Sequence, residues 1–207
     1  MRQKTDAKRQ ALLAAARHVF HEQGFADATM AAVSARAGGS KATLYRYFNS
    51  KADLFVAVMF DAVFEHANDV FDALRPSGDL RRTLERFGAS LLAISLSDEA
   101  LSVRRNSIAE GFKSGLGDRL YQRSAVLWSR MASFLADEMA AGRLRTEEPW
   151  MVAMHLRGLL ESDLINRALI GAAVDASPRT LRRQAQSAVE ALLRAYGPEL
   201  PADPQRS

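Results

Sequence analysis

Apolar residues recur three and four positions apart along nearly the whole chain, the period of amphipathic helices rather than strands. Leu12, Leu13, Ala16, Val19 and Phe20 form one stripe within residues 5–23. Gly24 follows, where a helix end takes a left-handed residue, and Phe25 packs back. Thr29 caps a second helix whose Met30, Val33 and Ala37 face inward. Gly38-Gly39 breaks that helix, and Ser40 caps a third that runs to Tyr47 or Phe48. Ser50 with Asp53 resembles a capping box. It opens a long fourth helix through Leu54, Phe55, Val58, Met59, Ala62 and Val63 towards Leu74, ended by Pro76-Ser77-Gly78.

The same period continues beyond that break. Residues 79–95 carry Leu80, Leu84, Phe87, Leu91 and Leu92. Residues 98–112 carry Leu101, Ile108 and Phe112, and residues 118–141 carry Leu120, Leu127, Trp128, Met131, Phe134 and Leu135. Gly142 closes the latter. Pro149 falls in the first turn of a helix reaching Ile170, and Pro178 opens a last one ending near Tyr196, before Gly197-Pro198. There is no internal repeat and no low-complexity tract. The expected fold is all-α, with about nine helices: an N-terminal domain over 1–52, a helical bundle over 53–197, and a flexible tail over 198–207.

Composition adds limits. The chain has 207 residues, 48% hydrophobic and 25% charged, which permits a sizeable core. With no cysteine, disulfides, thiol nucleophiles and thiolate metal sites are excluded; a reducing cytosol fits. The start, MRQKTDAKRQ, lacks the apolar core of a signal peptide. No apolar run approaches the roughly 20 residues of a membrane span. The net charge of +4 is unevenly spread: residues 1–51 carry +6 and the remainder −2. Such asymmetry fits either a polyanion-binding module or a solvated basic face.

Two helices joined by a glycine-containing turn, after a stabilising first helix, read as helix-turn-helix. At about 100° per residue, Leu44 and Phe48 form the buried seam of the third helix. Ala42, Thr43 and Arg46 point away, and Tyr45 and Tyr47 fall on the flanks. That suits a helix in a major groove, with outward residues on base edges and tyrosines on phosphates. Ala42 or the Thr43 methyl can touch a thymine methyl, and Arg46 or Lys41 can reach guanine. Lys41 and Lys51 stand at helix starts, where a cation is mildly unfavourable. A phosphate would compensate, so Lys51 and Thr29 are candidate phosphate clamps. An ordinary helical hairpin with half-buried tyrosines is the alternative.

The stretch GFADATMAAVSARAGGSKATLYRYFNSKADLF resembles the DNA-binding domain of the TetR/AcrR family of bacterial transcriptional regulators. The similarity spans roughly residues 8–60 without a gap, and GGSKATLYRYFNSKADL is its most specific part. The resemblance implies DNA contacts from Thr29, Thr43, Tyr45, Tyr47 and Lys51, with Ser40, Lys41 and Ala42 at positions that vary with operator sequence. Met30 departs from it, standing where a second threonine is common. Val103 to Leu160, above all LADEMAAGRLRTEEPWMVAMHLRGLLE, looks like the AefR-like C-terminal class. The resemblance implies a homodimer on a pseudo-palindromic operator in double-stranded DNA, half-sites ~34–36 Å or a multiple apart. It also implies a C-terminal domain that binds a small ligand and dimerises, and a cytoplasmic repressor, nucleoid-associated when DNA-bound, rather than an enzyme.

Phe64, Phe87, Phe112, Trp128 and Met131 could line a cavity for an apolar or aromatic ligand, or simply fill a core. Trp128 is the foremost candidate, since its N–H wants a partner. Gly158, Leu159, Ser162, Leu181, Ala185, Ala188 and Leu192 fall at helical spacings on the last two helices, as expected of a four-helix dimer interface. An intrachain core would use similar residues. No cofactor motif is present. His18 and His21 lack the acidic or cysteine partners of a metal site, and Ser90, Ser95 and Ser97 lack a His/Asp constellation.

Overall fold

Side-chain caps set most helix starts in the computed structural model, which describes residues 2–75, 78–114 and 116–198. The side chains of 2–5, 59–65, 110–114, 116 and 119 lie outside the description. Phe64 and Phe112 are therefore outside the described side chains, as are Pro76 and Ser77 of the expected break. The helices are α1 (Arg2–Asp27), α2 (Met30–Arg36), α3 (Lys41–Tyr45), α4 (Lys51–Asp72), α5 (Leu80–Ser95), α6 (Asp98–Ser114), α7 (Leu116–Ala140), α8 (Pro149–Leu169) and α9 (Pro178–Tyr196). Among the described residues no strand occurs. None of the helices is long and apolar enough to cross a membrane.

Two compact units emerge, residues 1–66 with 98–124, and 67–97 with 125–207. By packing, residues 53–66 and 98–124 group with the N-terminal segment. One reason is visible in the first unit, where Leu120 of α7 packs against the N-terminal core. That core is built from Leu12, Ala16, Val19, Phe20, Phe25, Val33, Leu44, Phe48, Leu54 and Phe55, each at most 5% exposed. Phe20, Phe25 and Phe55 meet there. The Phe55 ring lies 5.0 Å from Phe20 and 4.9 Å from Phe25, both edge-on. Burying each such side chain contributes about 1.5–3 kcal/mol.

In the second unit α9 lies against α5 and α8. Its apolar stripe of Leu181, Ala185, Ala188, Val189 and Leu192 is buried within the protomer. Close approach rests on Gly88 of α5. A methyl group there would meet Leu160 Cδ2 at 2.6 Å and Ala185 Cβ at 3.1 Å. This corrects the interface expectation: Leu181, Ala185, Ala188 and Leu192 serve the intrachain core. Gly158 and Ser162 are exposed and Leu159 is half-buried.

Helix α8 carries a break that the periodicity gave no sign of. Ser162 adopts φ 30°, ψ −130° inside it, a conformation rare for a residue with a Cβ. The Gln184 side chain of α9 donates to the carbonyls of Leu159 (3.0 Å) and Leu160 (3.3 Å) just before the break, satisfying partly buried backbone acceptors.

The segment between α7 and α8 is held by charge and cap. Gly142 takes φ 71°. Arg143 pairs through two nitrogens with Glu138, which is 1% exposed. That partner raises the guanidinium above its ordinary value, mainly through the side-chain hydrogen bond. Leu144 is buried, and Arg145 N–H donates to the Tyr196 carbonyl at 3.0 Å. Glu148 then caps α8, accepting from the Trp150 and Met151 amides, with Pro149 in the first turn.

Candidate nucleic-acid interface

The α2–α3 pair is short and depends on its caps. Thr29 accepts from the Ala32 amide (3.1 Å) and Ser40 from the Thr43 amide (3.1 Å), each worth about 1 kcal/mol to a helix start. Gly38 takes φ 60° in the turn between them, a left-handed conformation that glycine adopts without steric cost. The third helix is shorter than its sequence pattern predicted. It ends at Tyr45, with Arg46 as a helical cap residue. The Tyr47 and Phe48 amides still reach back to the Leu44 carbonyl at 3.1 and 3.0 Å.

The side chains sort by face. Leu44 is fully buried and Phe48 5% exposed, the expected seam. Lys41, Ala42, Tyr45 and Arg46 are exposed, and Thr43 and Tyr47 half-buried. Tyr45 stands out at 47% exposure, whereas Tyr47 packs against the core. The Ser40 hydroxyl is engaged locally, as the cap and in a 3.0 Å hydrogen bond with the Thr43 hydroxyl. What remains outward is cationic Lys41 and Arg46, the small apolar Ala42 and the Tyr45 ring.

Three supports were not visible in the sequence. Arg36 of α2 pairs with Glu22 of α1 at 2.8 Å. The Arg9 guanidinium sits 5.6 Å from the Phe48 ring. Lys8 brings its ammonium beside Gly39, where an added methyl would lie 3.7 Å away. All reach from α1 to the α2–α3 pair, and no local pattern links residues so far apart.

Lys51 has partners inside the protein. Its ammonium donates to the carbonyls of Phe25 (2.7 Å) and Ala26 (2.8 Å) and lies 4.7 Å from the Phe25 ring. The ammonium thus sits against carbonyls at the end of α1, which carry partial negative charge.

In the second unit, Phe71, Phe87 and Trp128 pack edge-to-face at 5.0–6.3 Å. The Arg157 guanidinium lies 5.5 Å from the Trp128 ring. Phe87, Trp128 and Met131 are thus core residues, none more than 4% exposed. Phe87 also borders an opening of about 210 Å³ with Asp69, Val70, Leu74 and Thr83. A wider groove of about 480 Å³ runs between α5 and α9, with Arg82, Arg86 and Arg182 beside Ala89, Ala93 and Leu181.

Comparison with known proteins places this geometry. Residues 12–58 match the family model for bacterial regulatory proteins of the tetR family. Residues 82–198 match that for the AefR-like transcriptional repressor, C-terminal domain. The chain belongs to the TetR family. Within it, a TetR-family transcriptional regulator of Mesorhizobium loti MAFF303099 superimposes with TM-score 0.79 at 26% identity, over 93% of this chain and 98% of that one. The flavonoid-responsive regulator FrrA gives 0.75 at 26% identity, over 94% and 100%. The HTH-type transcriptional activator FasR of Mycolicibacterium smegmatis is 40% identical over 79 residues, 38% of this chain and 36% of that protein. This TetR-family chain is accordingly a DNA-binding transcriptional regulator with an all-α fold. The AefR-like match extends well beyond the 103–160 stretch that the sequence suggested.

Proposed function

We propose that this regulator is a homodimeric repressor, released from a pseudo-palindromic operator by a small apolar or aromatic ligand. The observation that carries the reading is α3: capped by Ser40, anchored by fully buried Leu44, and presenting Lys41, Ala42 and Arg46 outward. Lys41, Ala42, Thr43 and Arg46 meet base edges, while Thr29, Tyr45, Tyr47 and Lys51 reach phosphates. Ser40 acts chiefly by starting the helix.

Dimerisation uses the outward face of α8, where Gly158, Leu159 and Ser162 lie, together with exposed Ser187, Ala191 and Ala195 of α9. The ligand enters beside Phe87, through the opening of about 210 Å³, and parts the Phe71–Phe87–Trp128 cluster. A ligand that favours badly spaced reading heads weakens operator binding by the factor by which operator weakens ligand binding, typically about 5–150-fold. Helix α4 carries the movement, since its residues belong to both compact units. The protein works in the bacterial cytoplasm, at the nucleoid when bound to DNA.

Activation is the second reading, favoured by the 40% identity to a protein named an activator. The two separate in transcription from a template that carries the selected site: a repressor lowers output and ligand restores it. Operator affinity that no ligand changes, in titrations at fixed salt, refutes the ligand-release part.

A further inference from the structure

We infer that the groove between α5 and α9 binds a small amphipathic carboxylate, with its acid group between Arg86 and Arg182 and its apolar tail along Ala89 and Ala93. The site adjoins the opening beside Phe87 at Arg86 and Ser90 but is separate from it. Neither the site nor its test involves DNA, so the outcome does not depend on how α3 reads a duplex.

The groove, about 480 Å³, is cationic: among its described lining residues Arg82, Arg86 and Arg182 stand against one acid, Glu85. Glu85 lies 3.9 Å from Arg81, and Arg82 lies 3.8 Å from Asp79. Arg86 and Arg182 form no ion pair with any described residue, whereas their neighbours Arg81 and Arg194 both pair with Glu190. Two guanidiniums that enter one groove from facing helices repel each other. A carboxylate shared between them replaces that repulsion with charge-assisted hydrogen bonds, for which the planar guanidinium fork is well matched. The Ser90 hydroxyl, one turn along α5 from Arg86 and also in the lining, can donate to the same acid.

The groove also has a polar and an apolar end. Arg81 pairs with Glu190, and Gly88 faces Ala185, so α5 and α9 run antiparallel. Arg82 and Arg86 therefore stand at one end, and Ala93 stands at the other with Pro178, where α9 begins. From Arg86 to Ala93 is about 10 Å along the helix axis, room for a short aliphatic or aryl tail on a floor that includes buried Leu181. Dimerisation leaves the site open. Arg182 and Gln186 lie about 140–180° round α9 from Ala191 of the proposed dimer face.

The test is isothermal titration calorimetry of the full-length protein with three probes: octanoate, octan-1-ol and acetate. Wild type is expected to bind octanoate roughly tenfold more tightly than octan-1-ol, and acetate more weakly than octanoate. Arg86→Gln plus Arg182→Gln should bring octanoate down to the level of octan-1-ol and leave octan-1-ol unchanged. Ala93→Glu, at the tail end of the groove, should weaken both. All three positions are exposed, and circular dichroism checks that each variant is folded; the single arginine variants replace the double one if it is not. Octan-1-ol binding as tightly as octanoate to wild type overturns the inference, as does acetate binding as tightly as octanoate. So does octanoate affinity that survives the arginine or the Ala93→Glu substitutions, which would place the acid elsewhere, and so does no octanoate binding at all.

Discussion

Gly88 gives the sharpest measure of how closely α5, α8 and α9 approach. Its added Cβ would stand 2.6 Å from Leu160 Cδ2 and 3.1 Å from Ala185 Cβ, and both neighbours are fully buried. Leu160 can turn its terminal carbon aside, at about 0.5–1.5 kcal/mol for an off-rotamer side chain. The Ala185 methyl moves only with its backbone. Overpacking of this kind costs about 1–3 kcal/mol. Against it, alanine gains about 1 kcal/mol over glycine inside a helix. Gly88→Ala is thus expected to be neutral to about 2 kcal/mol destabilising. Gly88→Val adds two further carbons and forfeits part of the helix gain, so a loss of about 2–3 kcal/mol is expected. For a chain of this size that lowers the melting temperature by about 5–10 °C. The assay is urea unfolding followed by tryptophan fluorescence. Both tryptophans of the chain, Trp128 and Trp150, belong to the second unit, so the signal reports that unit alone. A Gly88→Val protein as stable as wild type would mean that the three helices do not pack as closely as described.

Other outcomes follow from the same contacts. Gln184→Leu leaves the Leu159 and Leu160 carbonyls without their side-chain donor; a loss of about 1–3 kcal/mol is expected, with faster amide exchange confined to α8 and α9. Asp175 is held below its ordinary 3.8, chiefly by the Thr180 hydroxyl and then the Ser177 amide. Glu190 is held below 4.5 by its hydrogen bonds to Arg81 and then Arg194. Depressed carboxylates contribute stability that is full above their ordinary values and lost as pH falls through the folded ones. The difference in urea midpoint between wild type and Asp175→Asn plus Glu190→Gln should therefore shrink as the medium is acidified below 4.5; a constant difference refutes the assignment. Arg46→Ala and Lys41→Ala should change which base is preferred, by about 1–3 kcal/mol at one position of each half-site, as read from repeated duplex selection. A uniform loss across all sequences would move those residues to the phosphate set.

Local chemistry explains what was legible in the sequence. The Thr29, Ser40 and Ser50 caps and the Leu44–Phe48 seam each need only neighbouring residues to be read, and each is present as expected; Gly24 takes the expected positive φ, but within α1 and with an extended ψ of 175°. The α9 stripe was legible as a stripe, but helical spacing cannot say what covers it. Leu181, Ala185, Ala188 and Leu192 turn inward because Gly88 lets α5 come close enough to cover them. The Lys51 contacts were hidden for a related reason, since their acceptors are carbonyls 26 and 25 residues earlier in the chain. The break at Ser162 carries no local signal, since a serine inside an amphipathic run reads as ordinary helix.

The central claim is that α3 reads DNA as part of a two-fold dimer. Selection of bound duplexes from a random-sequence pool, followed by sequencing, tests it most directly. The account calls for an enriched inverted repeat with half-sites ~34–36 Å apart or a multiple of that, and for loss of the enrichment when Leu44→Ala empties the buried seam of α3. Recovery of duplexes with no shared motif, or of a single unrepeated half-site, would contradict it.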